Sequence, residues 1–182
     1  VEVLHDAPDG RNINDGCGST DPEPLARAVV ASGADAGLAF DGDADRIVMV
    51  DAAGAVVDGD EILAVLALDL DARGHLAGRA VVSTVMANLG LRRALAAHGI
   101  DFVETPVGDR YVRAAMDDRG LVLGGEQSGH VILAEHAATG DGTLTGIVVL
   151  DVVVRAQRTL ADLTAVVTKA PQCLRKIGRA HV

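Results

Sequence analysis

The stretch Ala80–Thr105, AVVSTVMANLGLRRALAAHGIDFVET, has the pattern of a strand, a helix and a second strand. Ala80–Val85 is a short apolar run rich in β-branched residues, which is typical of a buried strand. Apolar residues recur at helical spacing over Leu89–His98, and Gly99 follows as a helix-ending residue. Ile100–Thr105 is the second apolar run. Two strands joined by a crossover helix are expected to lie parallel in one sheet.

The same alternation extends to both sides of this unit. On the N-terminal side we expect strands at Val1–Leu4, Ala36–Phe40, Ile47–Asp51 and Val56–Val57, a helix from Pro22 to Gly33 capped by Asp21, and a helix at Glu61–Arg73 capped by Asp58. On the C-terminal side we expect helices at Tyr111–Arg119, Thr143–Gln157 and Leu160–Val167, and strands at Leu121–Leu123 and Val131–Ala134. Apolar positions almost encircle the Thr143–Gln157 helix, which predicts that it is well buried. The sequence therefore predicts the α/β class, with layered αβα domains and mixed, mostly parallel sheets.

The composition limits the possible functions. The chain has 182 residues with 16 Lys+Arg against 26 Asp+Glu, a net charge of −10, which fits one domain or two small ones. Hydrophobic residues make up 49%, enough to exclude a disordered chain. The acidic balance and the three aromatic residues disfavour nucleic acid as a partner. No apolar run reaches the ~18 residues of a bilayer span, so we expect a cytoplasmic protein without a membrane partner.

Two further features concern metals and redox chemistry. The cysteines, Cys17 and Cys173, lie far apart and form no C-x-x-C pattern, so neither a zinc site nor a disulfide framework is expected. The acidic loop FDGDADR, residues 40–46, places three carboxylates at alternate positions between two predicted strands. In an extended loop that spacing directs all three to one side, where their repulsion requires a cation. Hard oxygen ligands suit Mg²⁺, so we predict a magnesium site at Asp41, Asp43 and Asp45.

The acidic loop allows other interpretations. An EF-hand needs Gly at its sixth position and Glu at its twelfth, where this chain has Arg46 and Ala52, so it is rejected. A phosphatase of the haloacid dehalogenase type would use Asp41 as nucleophile and Asp43 as general acid, although its pattern usually has Thr or Val where Asp45 stands. A solvated acidic turn and a non-catalytic module that binds Mg²⁺ or a sugar phosphate also stay open.

Three more segments carry polar groups on glycine-rich turns. In GGEQSGH, residues 124–130, Glu126 and Ser128 could bind vicinal sugar hydroxyls, and His130 could contact a phosphate or transfer a proton. The alternative is an ordinary loop with a capping serine. Arg110 follows a Pro-Val-Gly turn at a predicted helix N-terminus, where anions are favoured, unless it only pairs with Asp109 or Glu104. TGDG, residues 139–142, is most simply a helix start capped by Asp141.

Taken together, these motifs resemble the α-D-phosphohexomutase superfamily. The resemblance runs from about Asn12 to Gln172, through CGST (17–20), AFDGDADR (39–46), VDGDE (57–61), VGDRY (107–111), GGEQSGH (124–130) and TGDG (139–142). It is specific because the motifs follow in order at the expected spacing. GEQSGH favours glucosamine over the mannose and glucose branch, and phosphomannomutase or phosphoglucomutase activity remains the alternative.

The resemblance implies an activity and a site. The reaction would be the reversible conversion of glucosamine 6-phosphate to glucosamine 1-phosphate through a phosphoserine and a 1,6-bisphosphate, feeding UDP-N-acetylglucosamine and cell-wall synthesis. Asp41, Asp43 and Asp45 would hold one Mg²⁺ per active site. The remaining implied roles are support of the metal loop or a phosphate contact by Arg46, sugar binding by Glu126 and Ser128, and proximity to the reacting phosphate for Arg110 and His130.

The resemblance also implies a division of the chain. Residues 1–55 would be the later part of domain 2 with the metal loop, residues 56–168 domain 3 with the sugar-binding loop, and residues 169–182 a linker remnant. Residues 176–182 have no helical or strand pattern and match a translated sequencing adapter, so we expect a non-native tail. Ser19, Ser83 and Ser128 do not lie in the nucleophile's motif. The partners would then be the missing N- and C-terminal domains of the same polypeptide, and this chain alone is expected to be inactive.

Overall fold

The computed structural model describes residues 1–173 of the chain, and the predicted tail at residues 176–182 lies outside that range. The strands are β1 (Ala36–Phe40), β2 (Ile47–Asp51), β3 (Val56–Val57), β4 (Ala80–Thr84), β5 (Asp101–Thr105), β6 (Leu123–Gly125) and β7 (Val131–Leu133). The helices are α1 (Glu23–Ser32), α2 (Gly59–Ala72), α3 (Leu89–Ala97), α4 (Asp109–Arg119), α5 (Gly142–Ala156) and α6 (Leu160–Thr164), with one 3-10 turn at Ala77–Arg79. Over residues 1–173 no helix combines the length and the apolar character needed to cross a bilayer.

The first sheet has the order β1-β2-β3 and is antiparallel throughout. Its central strand β2 is buried at every position because helices cover both faces, α1 on one side and α5 on the other. Glycines let these helices approach closely. A Cβ on Gly37 would come within 2.6 Å of Val29 in α1, and one on Gly146 in α5 within 2.3 Å of Leu38. The first sheet is therefore the middle of an αβα sandwich.

The second sheet has the order β5-β4-β6-β7, with β4 parallel to both β5 and β6 and with β7 antiparallel at the edge. Side chains alternate between two cores, so that Val81 faces the core shared with α2 and α3 while Val82 faces the core shared with α4. Helix α3 packs on the face that carries Val81 and α4 on the face that carries Val82, so the two crossover helices cover opposite faces of the sheet. The carboxyl ends of the three parallel strands meet at one edge, the usual ligand-binding edge of such sheets.

The α/β class with mixed sheets is confirmed, but the share of parallel pairing is smaller than expected. Among the described strands, two of the five pairings are parallel and three are antiparallel. The antiparallel pairs are those with short connections, such as the turn after Asp51, because a parallel connection needs a crossover of a dozen or more residues.

Two predictions at the N-terminal end were wrong. Val1–Leu4 is an exposed irregular segment and not a strand, because none of the described strands lies beside it to share hydrogen bonds. Asp21 does not cap α1. The N-cap position is Pro22 and no side chain caps this helix, so its first turn is supported by Glu23 and by a proline near the start.

Two predictions in the C-terminal half also need correction. The third strand of the parallel set is Leu123–Gly125, two residues later than predicted, because the residues that pair with β4 are Gly124 and Gly125, which have no side chains to show a strand pattern. Helix α5 is not buried all round. Ile147 and Val154, seven residues apart, are 59% and 73% exposed and form an outward stripe.

Asp60, in the first turn of α2, is fully buried. Its Oδ2 accepts the backbone N–H of Asn88 at 2.7 Å, while its Oδ1 has no hydrogen-bond partner. Burial raises the pKa of Asp60 to about 6, from an ordinary 3.8, against the lowering effect of that hydrogen bond. The unfolded chain therefore releases this proton more readily than the folded chain, so stability falls as pH rises from about 4 to about 6.

We expect Asp60→Asn to stabilise the chain by about 2 kcal/mol near pH 8 and to have little effect near pH 4, because the amide keeps an acceptor for Asn88 without a buried charge. Urea unfolding at both pH values measures this. Asp69→Asn in the same helix is the control, and its effect on the free energy of unfolding at pH 8 should have the opposite sign. Burial alone would raise the pKa of Asp69, but hydrogen bonds and charges from Arg155 and Arg73 lower it, so losing its charge destabilises the chain at pH 8. A destabilised Asp60→Asn variant at pH 8 would contradict the expectation.

Candidate functional site

The acidic loop connects β1 to β2 and brings its three carboxylates together. One oxygen each from Asp41, Asp43 and Asp45 lies within 4.8 Å of the others. Two hydrogen bonds tighten the loop, since the Ala44 N–H donates to the Asp41 carbonyl and the Arg46 N–H to Asp41 Oδ1, both at 3.1 Å. Ala44 has a φ of +59°, a strained conformation for a residue with a side chain. Strain of this kind persists where surrounding contacts enforce it, which is common at functional sites.

The charges of this loop do not balance. Arg46 Nε lies 3.8 Å from both Asp41 and Asp45, so one guanidinium faces a cluster of three carboxylates. Burial and the neighbouring Asp41 raise the pKa of Asp45, and the contact with His130 lowers it. A cluster of carboxylate oxygens with excess negative charge has the donor type that Mg²⁺ prefers. These residues fit a magnesium site.

The GGEQSGH segment forms the turn between β6 and β7 and contacts the backbone where the acidic loop ends and β2 begins. The Glu126 N–H donates to the His130 carbonyl at 2.9 Å, which closes the turn. At its tip the Gly129 carbonyl accepts the Ile47 N–H at 3.1 Å. Gly129 has a φ of +93°, and a Cβ there would lie 2.0 Å from the Ile47 carbonyl oxygen. Only glycine allows the turn to meet the start of β2 this closely.

His130 links the two loops through its side chain. The residue is 2% exposed, with Nδ1 3.0 Å from Asp45 Oδ2 and Nε2 accepting the Gly140 N–H at 3.1 Å. Because Nε2 is an acceptor, the neutral ring carries its proton on Nδ1 and donates it to Asp45. Both ring nitrogens are engaged within the chain, so direct contact with a phosphate requires the ring to leave one of these partners.

The loop after β5 contacts the GGEQSGH turn. The Gly108 N–H donates to Glu126 Oε1 at 3.1 Å, which fixes the carboxylate at the carboxyl edge of the sheet. Within residues 1–173 the other oxygen, Oε2, has no hydrogen-bond donor, so it is available to a ligand. Ser128, two residues further on, is exposed.

Arg110 begins helix α4 beside this contact. Its guanidinium lies 4.5 Å from the centre of the Tyr111 ring and donates to the Tyr111 hydroxyl at 2.5 Å. The pairings considered from the sequence do not form in the described part of the chain, because Glu104 pairs with Arg92 and Asp109 accepts only the Arg110 backbone N–H. The cation of Arg110 is therefore exposed and not neutralised by a carboxylate.

Sequence reasoning missed part of this site. TGDG was interpreted only as a helix start, and Asp141 does cap α5 by accepting the Leu144 N–H. The structure also packs its two glycines against the site, Gly140 on the His130 ring and Gly142 on the Ala44 carbonyl, which accepts the Gly142 N–H at 2.8 Å. The only signal in the sequence was the glycine on either side of Asp141. The CGST turn contacts the start of the acidic loop, since the Ser19 N–H donates to the Phe40 carbonyl at 2.9 Å.

Comparison with known proteins defines the class first. Residues 58–170 match the family described as phosphoglucomutase/phosphomannomutase, alpha/beta/alpha domain III. A putative phosphomannomutase from Thermus thermophilus has the same fold, with a TM-score of 0.73 and 26% identity over 80% of this chain and 33% of that one. The chain therefore belongs to the phosphoglucomutase/phosphomannomutase family.

More similar relatives lie within that class. The chain is 61% identical to the phosphoglucosamine mutase of Acidothermus cellulolyticus over 170 residues, which are 93% of this chain and 37% of the relative. It is 57% identical to the phosphoglucosamine mutase of Streptomyces avermitilis, again over 37% of the relative. An Aspergillus fumigatus N-acetylphosphoglucosamine mutase, solved with GlcNAc-6P and magnesium, shares the fold at a TM-score of 0.65 and 21% identity, over 85% of this chain and 38% of that one. The chain thus spans a little over a third of the relatives' length.

Proposed function

We propose that this chain is part of an enzyme that interconverts glucosamine 6-phosphate and glucosamine 1-phosphate. The observation that carries the proposal is the junction of the carboxylate cluster with the GGEQSGH turn, held by the Ile47–Gly129 hydrogen bond and the His130–Asp45 contact. The identity to proteins named phosphoglucosamine mutase supports glucosamine over mannose or glucose as the preferred sugar.

Asp41, Asp43 and Asp45 are the proposed ligands of one Mg²⁺. When bound, the ion offsets negative charge that develops on the transferred phosphoryl group. Arg46 neutralises part of the cluster and holds the loop closed through its backbone N–H. His130 keeps Asp45 in place through the Nδ1 proton, which is the proton that it could exchange with a neighbouring group.

The substrate-binding residues are proposed to be Glu126, Ser128 and Arg110, joined by His130 once its ring releases Asp45 or Gly140. Glu126 offers its free Oε2, and Ser128 its exposed hydroxyl, to adjacent sugar hydroxyls. Arg110 has an exposed guanidinium at a helix N-terminus, where both the cation and the helix dipole favour an anionic phosphate.

In the proposed reaction a phosphoserine gives its phosphoryl group to the sugar phosphate, forming glucosamine 1,6-bisphosphate, which then returns its other phosphoryl group to the serine. The serine belongs to the longer protein, so the partners are its other domains and the 182-residue chain alone is inactive. The products are proposed to feed UDP-N-acetylglucosamine and peptidoglycan synthesis. We assign the protein to the cytoplasm, together with its anionic sugar phosphates.

The domain division is also proposed. Residues 1–57 form the later part of domain 2, residues 58–168 form domain 3, and the linker begins at residue 169. The boundary predicted before residue 56 moves by two residues because Val56 and Val57 pair with β2 in the first sheet. The match of residues 58–170 to domain III supports this position.

The experiment uses a chimera in which the described residues replace the matching segment of the Acidothermus cellulolyticus relative. Phosphorus NMR follows glucosamine 6-phosphate with Mg²⁺ and a trace of the bisphosphate, beside mannose and glucose 6-phosphates. We expect the glucosamine pair to interconvert fastest. Faster turnover of mannose or glucose phosphate would contradict the proposed preference for glucosamine. Release of inorganic phosphate without any 1-phosphate would favour a phosphatase that uses Asp41 as nucleophile.

A further inference from the structure

Residues 168–172, which we call the strap, cross the start of helix α3. The Asn88 side chain pairs with the backbone of Ala170 in both directions, donating from Nδ2 to the carbonyl and accepting the N–H on Oδ1, each at 2.9 Å. Asn88 is 5% exposed and also caps α3 by accepting the Gly90 N–H. A Cβ on Gly90 would lie 2.4 Å from the Thr168 carbonyl oxygen, so glycine is needed for the strap to lie this close. The strap is thus held by a buried, fully paired amide.

Lys169 in the strap binds the residues that start helix α2. Its Nζ lies 2.6 Å from Glu61 Oε2 and 3.1 Å from Asp58 Oδ2. Burial alone would lower the pKa of Lys169, but the pairing with these carboxylates outweighs burial and raises it. The same two carboxylates form the capping box of α2, because Asp58 accepts the N–H groups of Asp60 and Glu61 and Glu61 accepts the N–H of Asp58. Lys169 therefore holds both halves of the cap.

The start of α2 in turn supports the GGEQSGH turn. The Gly59 N–H donates to the Gln127 carbonyl at 3.1 Å, and a Cβ on Gly59 would lie 2.1 Å from the Glu126 carbonyl oxygen. A second connection runs through side chains, since Gln127 Nε2 donates to Gln172 Oε1 at 3.3 Å and Gln172 Nε2 donates to the Met86 carbonyl at 2.8 Å. The strap is therefore connected to Gln127 in two ways, directly through Gln172 and indirectly through Lys169 and the first turn of α2.

We propose that the strap is an anchor of the candidate sugar-binding turn and that Lys169 is the positioning residue that couples them through the first turn of α2. A displacement of the strap releases the clamp on Asp58 and Glu61 and loosens the backbone that presents Glu126. The role assigned to the turn rests on the proposed function, whereas the coupling rests only on contacts within this chain.

Hydrogen–deuterium exchange of the 182-residue chain tests the coupling without any ligand. In Lys169→Met we expect the Gly59 and Gly129 amides to exchange roughly five-fold faster, with amides of β4 unchanged. Lys169→Arg keeps the cation and should restore protection. Arg155→Met is the matched control, because it removes a cation from Asp69, near the opposite end of α2, and from Asp151 in α5. It should leave the turn unchanged.

Kinetics of the chimera supply a second readout. Lys169→Met should raise KM for glucosamine 6-phosphate about five-fold while kcat changes less than about two-fold, because the turn is displaced and not chemically altered. If Lys169→Met does not fold, Gln172→Ala tests the side-chain connection alone. Unchanged exchange at Gly59 and Gly129 in a folded Lys169→Met chain, or equal acceleration in Arg155→Met, would overturn the coupling. An inactive wild-type chimera would contradict the proposed function only, since exchange would still decide the coupling.

Discussion

Replacing Gly129 with alanine is expected to cost about 3 kcal/mol or more of the free energy of unfolding, because two penalties add. The φ of +93° is unfavourable for any L side chain, and the new Cβ would lie 2.0 Å from the Ile47 carbonyl oxygen and 2.8 Å from its carbon. Backbone atoms in a central strand cannot rotate away as a side chain can. The turn must therefore retreat, which breaks the Ile47–Gly129 hydrogen bond and separates the two loops of the site.

Gly120→Ala is the matched control for this prediction. Gly120 caps α4 with a φ of +64°, but a Cβ there would meet no atom within 4 Å. It should cost only about 1 kcal/mol, the penalty of the left-handed conformation alone. Urea unfolding of both variants measures the difference, which isolates the clash with β2. Equal losses in the two variants would mean that the turn can move away from β2 at little cost.

Replacing Asp43 with asparagine should lower the mutase activity of the chimera roughly 100-fold, because it removes one proposed Mg²⁺ ligand and with it part of the charge that would stabilise the transferred phosphoryl group. The stability of the metal-free chain should not fall. Asp43 is exposed, and neutralising it reduces repulsion with Asp41 and Asp45. A variant that loses activity without losing stability shows that Asp43 has a binding role and not a structural one.

Two measurements check the Asp43→Asn prediction. Thermal unfolding of the 182-residue chain with and without Mg²⁺ should show stabilisation by the ion that is lost in the variant. Asp35→Asn, an exposed aspartate before β1, is the control and should keep both the Mg²⁺ effect and the activity. A variant that still responds fully to Mg²⁺ would remove Asp43 from the proposed ligands, and a chimera variant with wild-type activity would remove the metal loop from the proposed reaction.

The sequence alone determined the features that depend on neighbours along the chain. Strands β1 and β2 have the predicted bounds, and Asp58 caps α2 as expected, because alternation of apolar residues and capping act over a few positions. The acidic cluster could also be predicted from the sequence, since Asp41, Asp43 and Asp45 lie within five residues of one another. The strand prediction at Val1–Leu4 was wrong because a strand also depends on a partner that local sequence does not reveal. Its pattern was favourable, but none of the described strands lies beside it to pair with.

Only the tertiary structure decided how the site is assembled. The Ile47–Gly129 hydrogen bond, the His130–Asp45 contact and the Asn88–Ala170 pair each join residues about 80 positions apart. Gly129 and Gly142 show why local rules could not find these contacts. Each is needed because the backbone of a distant residue, Ile47 or Arg46, occupies the space of its Cβ. A glycine's own neighbours in sequence carry no information about that distant atom, which reaches it only when the two sheets pack together.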